Sequence, residues 1–198
     1  MRTTLASALI LLLAAACSAS RSSLADDATY PTPSPFVEAQ IDQHLHDVPY
    51  LKGRQVVDAC ASLVRLGPAA IPRLKDAVAD EDPVRRAFAL NVLGAMGDRR
   101  VIETLREATR DPEPSVRYEA ARSCMRLGEW SVLGVLVDGL QDESVYRRTL
   151  CHDALRKNTG VDFGFQPQAP TEERAAAVAK WRSWWSQHSK DTLAMRSE

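Results

Sequence analysis

Small and apolar residues return along this chain at a step of about 31. Ala59, Ala89, Ala120 and Cys151 stand 30, 31 and 31 apart, and Leu63, Leu93, Cys124 and Leu155 keep the same step. So do Leu66, Met96, Leu127 and Asn158, followed by Gly67, Gly97, Gly128 and Thr159. Within each segment these positions fall at i, i+4 and i+7, one face of a helix. The glycine after the last apolar residue is a helix stop, because it tolerates the left-handed cap conformation. Thr159 breaks that pattern, with Gly160 one residue late. A second helix follows each stop: Ile71, Ile102 and Leu133 repeat at 31, as do Leu74, Leu105 and Leu136. No long alternation of β-branched residues suggests a strand.

Each unit is therefore a helix, a turn and a second helix. Such a pair cannot bury its apolar face alone, so stacking of neighbours is required. A polar ladder has the same step. Asp80, Asp111 and Asp142 precede Arg86, Arg117 and Arg148 by six residues, at the turns between units. An acid there accepts turn N–H bonds, and a guanidinium donates in a planar fork.

Quoted as they stand, Asp82-Pro83-Val84-Arg85-Arg86, Glu113-Pro114-Ser115-Val116-Arg117 and the Leu66-Gly67, Met96-Gly97 and Leu127-Gly128 stops resemble the HEAT-repeat family. The resemblance is strongest to its short bacterial, phycobilisome-lyase-like form. It implies an all-α fold: an α-solenoid of about four HEAT-like helix pairs with N-terminal and C-terminal capping helices. It also implies that the ladder links adjacent repeats.

The caps are legible. Ser34-Pro35 offers an N-cap and a proline at the first helical position, and Val37, Ile41, Leu45 and Val48 fall three or four apart. This predicts a capping helix over 35–47. At the other end, 159–167 is an aromatic, Gly-punctuated loop. A helix then begins at Thr171, with Ala175, Val178, Trp181 and Trp185 on one face and Trp184 beside it. Trp181 and Trp185 are expected to seal the last repeat over Phe163 and Phe165, leaving Trp184 partly exposed. Residues 190–198 read as a frayed tail.

The first segment reads as an address. Arg2 precedes the apolar run Leu5 to Ala16, and Ala14-Ala15-Ala16-Cys17 follows. The run is too short to span a bilayer comfortably. Residues 1–16 are a predicted signal peptide, 17–34 a Ser- and Pro-rich tether, and 35–189 the solenoid. The stretch before Cys17 resembles a bacterial lipoprotein lipobox, which implies lipidation of Cys17 and a membrane anchor in the cell envelope. Ala14-x-Ala16 also suits ordinary cleavage, which leaves a secreted protein.

Composition changes this picture little. Hydrophobic residues are 45%, and 25 Lys and Arg stand against 26 Asp and Glu, a net charge of −1. A nucleic-acid partner usually requires a strong basic excess, so none is expected. Asp162-Phe163-Gly164 spells a kinase metal-binding tripeptide but lacks every companion motif. His44 and His46, and Cys151-His152-Asp153, diverge on helices. No metal site and no cofactor is expected. Cys60, Cys124 and Cys151 read as buried thiols, and an exported compartment also allows a Cys124–Cys151 disulfide.

What remains is a surface. Asp76, Glu107 and Asp138 recur every 31 residues on the second helices, opposite or beside the apolar stripe, with Arg73 and Arg106 nearby. In HEAT proteins the second helices line the side on which partners dock. The expected function is thus an exported, lipid-anchored scaffold or adaptor without catalysis, binding a protein or basic peptide through Asp76, Glu107, Asp138 and Trp184. The alternative is an enzyme, or a lyase-like or chaperone-like protein, acting on a small ligand in the solenoid groove.

Overall fold

The computed structural model describes residues 30–194, with side chains through residue 189. The expected leader, Cys17 and residues 17–29 of the expected tether lie outside the described residues. Every regular element among the described residues is a helix: a cap, four first helices and three short second helices, then, after the loop 160–170, a long C-terminal helix.

Helix α1 (Pro35–Asp47) starts where Ser34 accepts a hydrogen bond from the Val37 N–H, and it buries Ile41 and Leu45. The first helices of the repeats are α2 (Arg54–Leu66), α4 (Pro83–Met96), α6 (Pro114–Arg126) and α8 (Val145–Thr159). Their partners are α3 (Ile71–Ala77), α5 (Ile102–Ala108) and α7 (Leu133–Gly139). The last helix is α9 (Thr171–Ala194). Proline at the first position of α4 and α6 costs no helical hydrogen bond, and the side chains of Asp82 and Glu113 cap the free N–H groups.

The predicted rows land in the core. Leu63, Leu93, Cys124 and Leu155 are fully buried, as are Leu74, Leu105 and Leu136. The late Gly160 has a plain consequence: α8 continues through Thr159 and then stops on Gly160 in the left-handed conformation, as α4 stops on Gly97.

The first helices do not stack evenly. Gly94 on α4 lets α6 come so close that an added Cβ would lie 2.5 Å from the Ser123 Cβ. Ser123 in turn donates to the Leu90 carbonyl at 2.9 Å. These two helices form the tightest stack between first helices, because no side chain separates their backbones at that point.

The ladder forms at every turn. The Oδ1 atoms of Asp80, Asp111 and Asp142 each accept the N–H two residues on, at 2.8 Å. Arg86, Arg117 and Arg148 each donate to the carbonyls of the preceding Asp and its neighbour, at 2.6–3.0 Å. Arg86 also reaches into the next repeat and grips the Asp111 carboxylate with two bonds of 2.9 Å. Arg148 reaches onward to the Pro167 carbonyl at 2.7 Å, tying the last repeat to the C-terminal loop.

Several expectations need correction. Ala175 is exposed, and the buried stripe of α9 is Ala177, Val178 and Trp181. Trp185 is only half-buried, like Trp184. The thiol reading stands for the cysteines: all three are free, Cys124 and Cys151 are buried, Cys60 is only half-buried, and Cys151 packs beside Gly139 of α7. Helix α9 is described as far as Ala194, and residues 195–198 of the expected tail lie outside the described residues. The region read as a tether contains Tyr30, which is buried and lies under Arg100, with the guanidinium carbon 4.2 Å from the ring centre.

Candidate functional surfaces

The second helices carry the predicted acidic row. Asp76, Glu107 and Asp138 are all exposed, as their register opposite Leu74, Leu105 and Leu136 requires. The row has cationic neighbours: Arg73, expected from the sequence, and Arg182, which the sequence did not reveal. Arg73 lies 3.8 Å from Asp76 while its shorter bond, 2.7 Å, goes to Asp42 of the N-terminal cap. Arg182 of α9 donates to Asp138 at 3.0 Å, across 44 residues of sequence. Both partners are more than half exposed, so this is a surface pair, and Asp138 stays as open as Asp76.

Glu107 borders a depression of about 370 Å³ between α3 and α5. Val78, Ala79 and Ala108 give it an apolar floor, and Lys75 and Arg110 share its rim. Next to it, Arg106 donates to Glu103 at 2.6 Å and to the buried Glu129 at 3.0 Å, binding α5 to the turn before α7. Its hydrogen bond to the Glu129 carboxylate holds the Arg106 guanidinium above its ordinary pKa, against the opposing effect of desolvation. The surface alternates in charge instead of forming a continuous acidic strip.

Trp184 sits at the other predicted contact. It meets the buried Trp181 edge-on at 5.9 Å and stacks on His188 at 4.5 Å. Phe163 meets Trp181 edge-on at 4.9 Å from below. The Asp162-Phe163-Gly164 tripeptide is thereby explained. Asp162 accepts the Gly164 N–H at 2.8 Å, and this turn aims Phe163 at Trp181. The same bond holds the Asp162 carboxyl below its usual pKa. His152, between Phe165 and Asp162, is buried, while Asp153 beside it is exposed, so that trio diverges. Among the described residues no group of three or more His, Cys, Asp and Glu side chains is placed to hold a metal ion.

A charged cluster that sequence reasoning missed lies on the first helices. Glu119 is buried and is gripped by Arg122 from one turn on. Burial pushes the Glu119 carboxyl up, against the opposing pull of Arg122. Arg122 and Arg126 both reach back to Asn91 on α4, at 3.2 and 2.9 Å. The signal was available: Asn91, Arg122 and Asp153 share one repeat position, as do Arg126 and Lys157.

These features define an all-α solenoid protein, and residues 71–156 match the sequence family described as HEAT repeats. Over 122 residues the chain is 33% identical to deoxyhypusine hydroxylase of Bos taurus, a match that takes in 54% of this chain and 40% of the relative. The chain thus spans about two-fifths of the length of that curated relative. Two solved structures are similar at 25% identity, each over 69% of this chain. The complex of CpcE and CpcF of phycocyanin lyase from Nostoc sp. PCC7120 gives a TM-score of 0.47 and is covered over 86% of the matched chain. Human deoxyhypusine hydroxylase in complex with glycerol gives 0.40 and is covered over 53%. The expectation that the chain lacks catalysis is corrected by the first of these relatives, because that protein is an enzyme.

Proposed function

We propose that this chain is an exported HEAT-repeat binding protein that holds a protein or peptide partner against its second helices. The depression between α3 and α5 carries this reading, since it combines an apolar floor with exposed charge at its rim. A partner side chain with an apolar stem and a basic head suits it: the stem packs on Val78, Ala79 and Ala108, and the head meets Glu107. Asp76 offers a second basic contact. Lys75 and Arg110 favour acidic groups on the same partner, which fixes its register. Trp184 extends the surface with a half-buried ring of the kind enriched at interfaces. The reading includes attachment through a lipid on Cys17, supported by the sequence that precedes it.

Capture of partners from the cell envelope by the full chain tests this. Replacing Asp76, Glu107 and Asp138 together by Asn is expected to weaken capture, and added salt to weaken capture by the unaltered chain. Equal capture by the triple variant at low salt removes the second-helix reading. Loss of capture on Trp184→Ala alone, insensitive to salt, places the contact on the tail instead. Cys17→Ser is expected to abolish fatty-acid labelling and to release the protein from membranes. An unaltered chain that never labels is secreted without a lipid.

A second reading rests on the hydroxylase relative. The chain then modifies what it binds, or assists its modification. Mass measurement of a captured partner, before and after incubation with the chain, separates holding from modifying.

A further inference from the structure

A second depression, of about 260 Å³, lies on the opposite set of helices, between α6 and α8. Leu150 and Ala154 line it together with Arg122, Arg126, Lys157 and Tyr146. Repeat register explains why it opens there. The positions that bring α4 onto α6, Gly94 and Ser123, recur one repeat later as Met125 and Ala154. Where α4 presents no side chain, α6 presents the buried Met125. The α6 and α8 backbones are therefore kept apart by the thickness of a side chain. Tyr146, 72% exposed, stands at the edge of the opening.

Its charge is out of balance. The side chains of Arg122 and Arg126 converge on a single neutral oxygen, Oδ1 of Asn91. Glu119 answers Arg122. Arg126 and Lys157 have no ion pair among the described residues. Among the lining residues Asp153 is the acid set against three cations. Arg126 is exposed; partial desolvation of its guanidinium and the nearby charge of Arg122 lower its pKa, against the pull of Glu119.

We propose that this depression binds a small organic anion. A carboxylate or phosphate would take the N–H groups of Arg126 and Arg122, with Lys157 adding charge, while its apolar body packs on Leu150 and Ala154 beside Tyr146. Guanidinium forks match the geometry of both anions. The volume is just below the ~300 Å³ at which ligand pockets usually begin, which limits the occupant to about one ring with its charged group. This site is separate from the second-helix surface and stands or falls without it.

Titration calorimetry on the full chain at low ionic strength, with benzoate and phenyl phosphate as probes, tests the proposal. Saturable binding of at least one probe is expected, and the preferred probe identifies the anion. Arg126→Gln is expected to weaken it about tenfold or more, the worth of a charge-assisted hydrogen bond. Lys157→Gln is expected to weaken it less, and Arg126→Lys to restore part of it. Arg65→Gln, on the exposed face of α2 away from both depressions, is expected to change nothing. Thermal melts confirm that each variant is folded. No saturable binding of either probe overturns the proposal, as does equal binding by folded Arg126→Gln and Lys157→Gln.

Discussion

Gly94 and Ser123 occupy a point where α4 and α6 almost touch: a Cβ on Gly94 would stand 2.5 Å from both the Cβ and the Oγ of Ser123, and 2.9 Å from its Cα. The Cα distance matters most, because relief then requires backbone movement. Gly94→Ala gains up to about 1 kcal/mol of helix propensity, but overpacking costs roughly 1–3 kcal/mol. A net loss of stability is expected as a lower urea midpoint. Ser123→Gly in the same chain should recover part of it, which a pure propensity effect would not allow.

The turn ladder has a separate test. Arg117 donates to the carbonyls of Asp111 and Pro112, both at 2.8 Å, and Arg117→Met leaves those acceptors without the charged donor. A loss of about 1.5–3 kcal/mol is expected for hydrogen bonds to a charged group. Arg73→Met removes an exposed pair with Asp42 and should cost less than about 1 kcal/mol. Thermal melts of the two variants should therefore differ clearly, and equal melts would remove the ladder as a source of stability.

Acid should act through Asp111. Burial raises its pKa, but hydrogen bonds from Arg86 and the Glu113 N–H, with the charges of Arg86 and Arg117, hold the carboxyl below its ordinary range. A carboxyl lowered in the folded state stabilises it fully above the unfolded pKa of about 3.9. That stabilisation is lost as pH falls below about 3.9 and through the folded value. The stability difference between the unaltered chain and Asp111→Asn is expected to be largest near neutrality and to shrink in that window. A difference that does not change with pH would show that the carboxylate charge contributes nothing.

The thiols should differ in reactivity. Cys124 is fully buried and its thiol is pushed up to about 12, mainly by burial; Cys151 is buried as well and is raised further. Cys60 is half-buried and also raised. A thiol reagent at neutral pH should modify Cys60 slowly and spare Cys124 and Cys151 until the chain is unfolded. Rapid labelling of Cys151 in the folded protein would contradict its packing against Gly139.

The repeats were legible because stacking demands a small or apolar residue at the same position each time, as the buried Leu93, Cys124 and Leu155 show. The Asp and Arg ladder was legible for the same reason. Contacts between positions that do not share a register were not. Nothing at Asp138 alone announces Arg182, and Ala175 and Ala177 are equally apolar, so their faces are decided by the angle at which α9 docks. The charged cluster at Asn91, Arg122 and Arg126 hid in plain sequence. Its members occupy successive repeats at positions where residue type changes, and only a three-dimensional stack brings them to one oxygen.

The seat of Tyr30 under Arg100 decides where tension enters the molecule. Arg100 belongs to the turn before α5, whereas α1, the next helix after Tyr30, packs on α2, α3 and α4. A pull on the N-terminal segment is therefore borne first by a ring held beneath a guanidinium at the second repeat. The N-terminal cap lies behind that clasp. A cation–π pair at an exposed guanidinium contributes about 0.5–1 kcal/mol, so this clasp meets a load before α1 does but adds only a small margin to the cap.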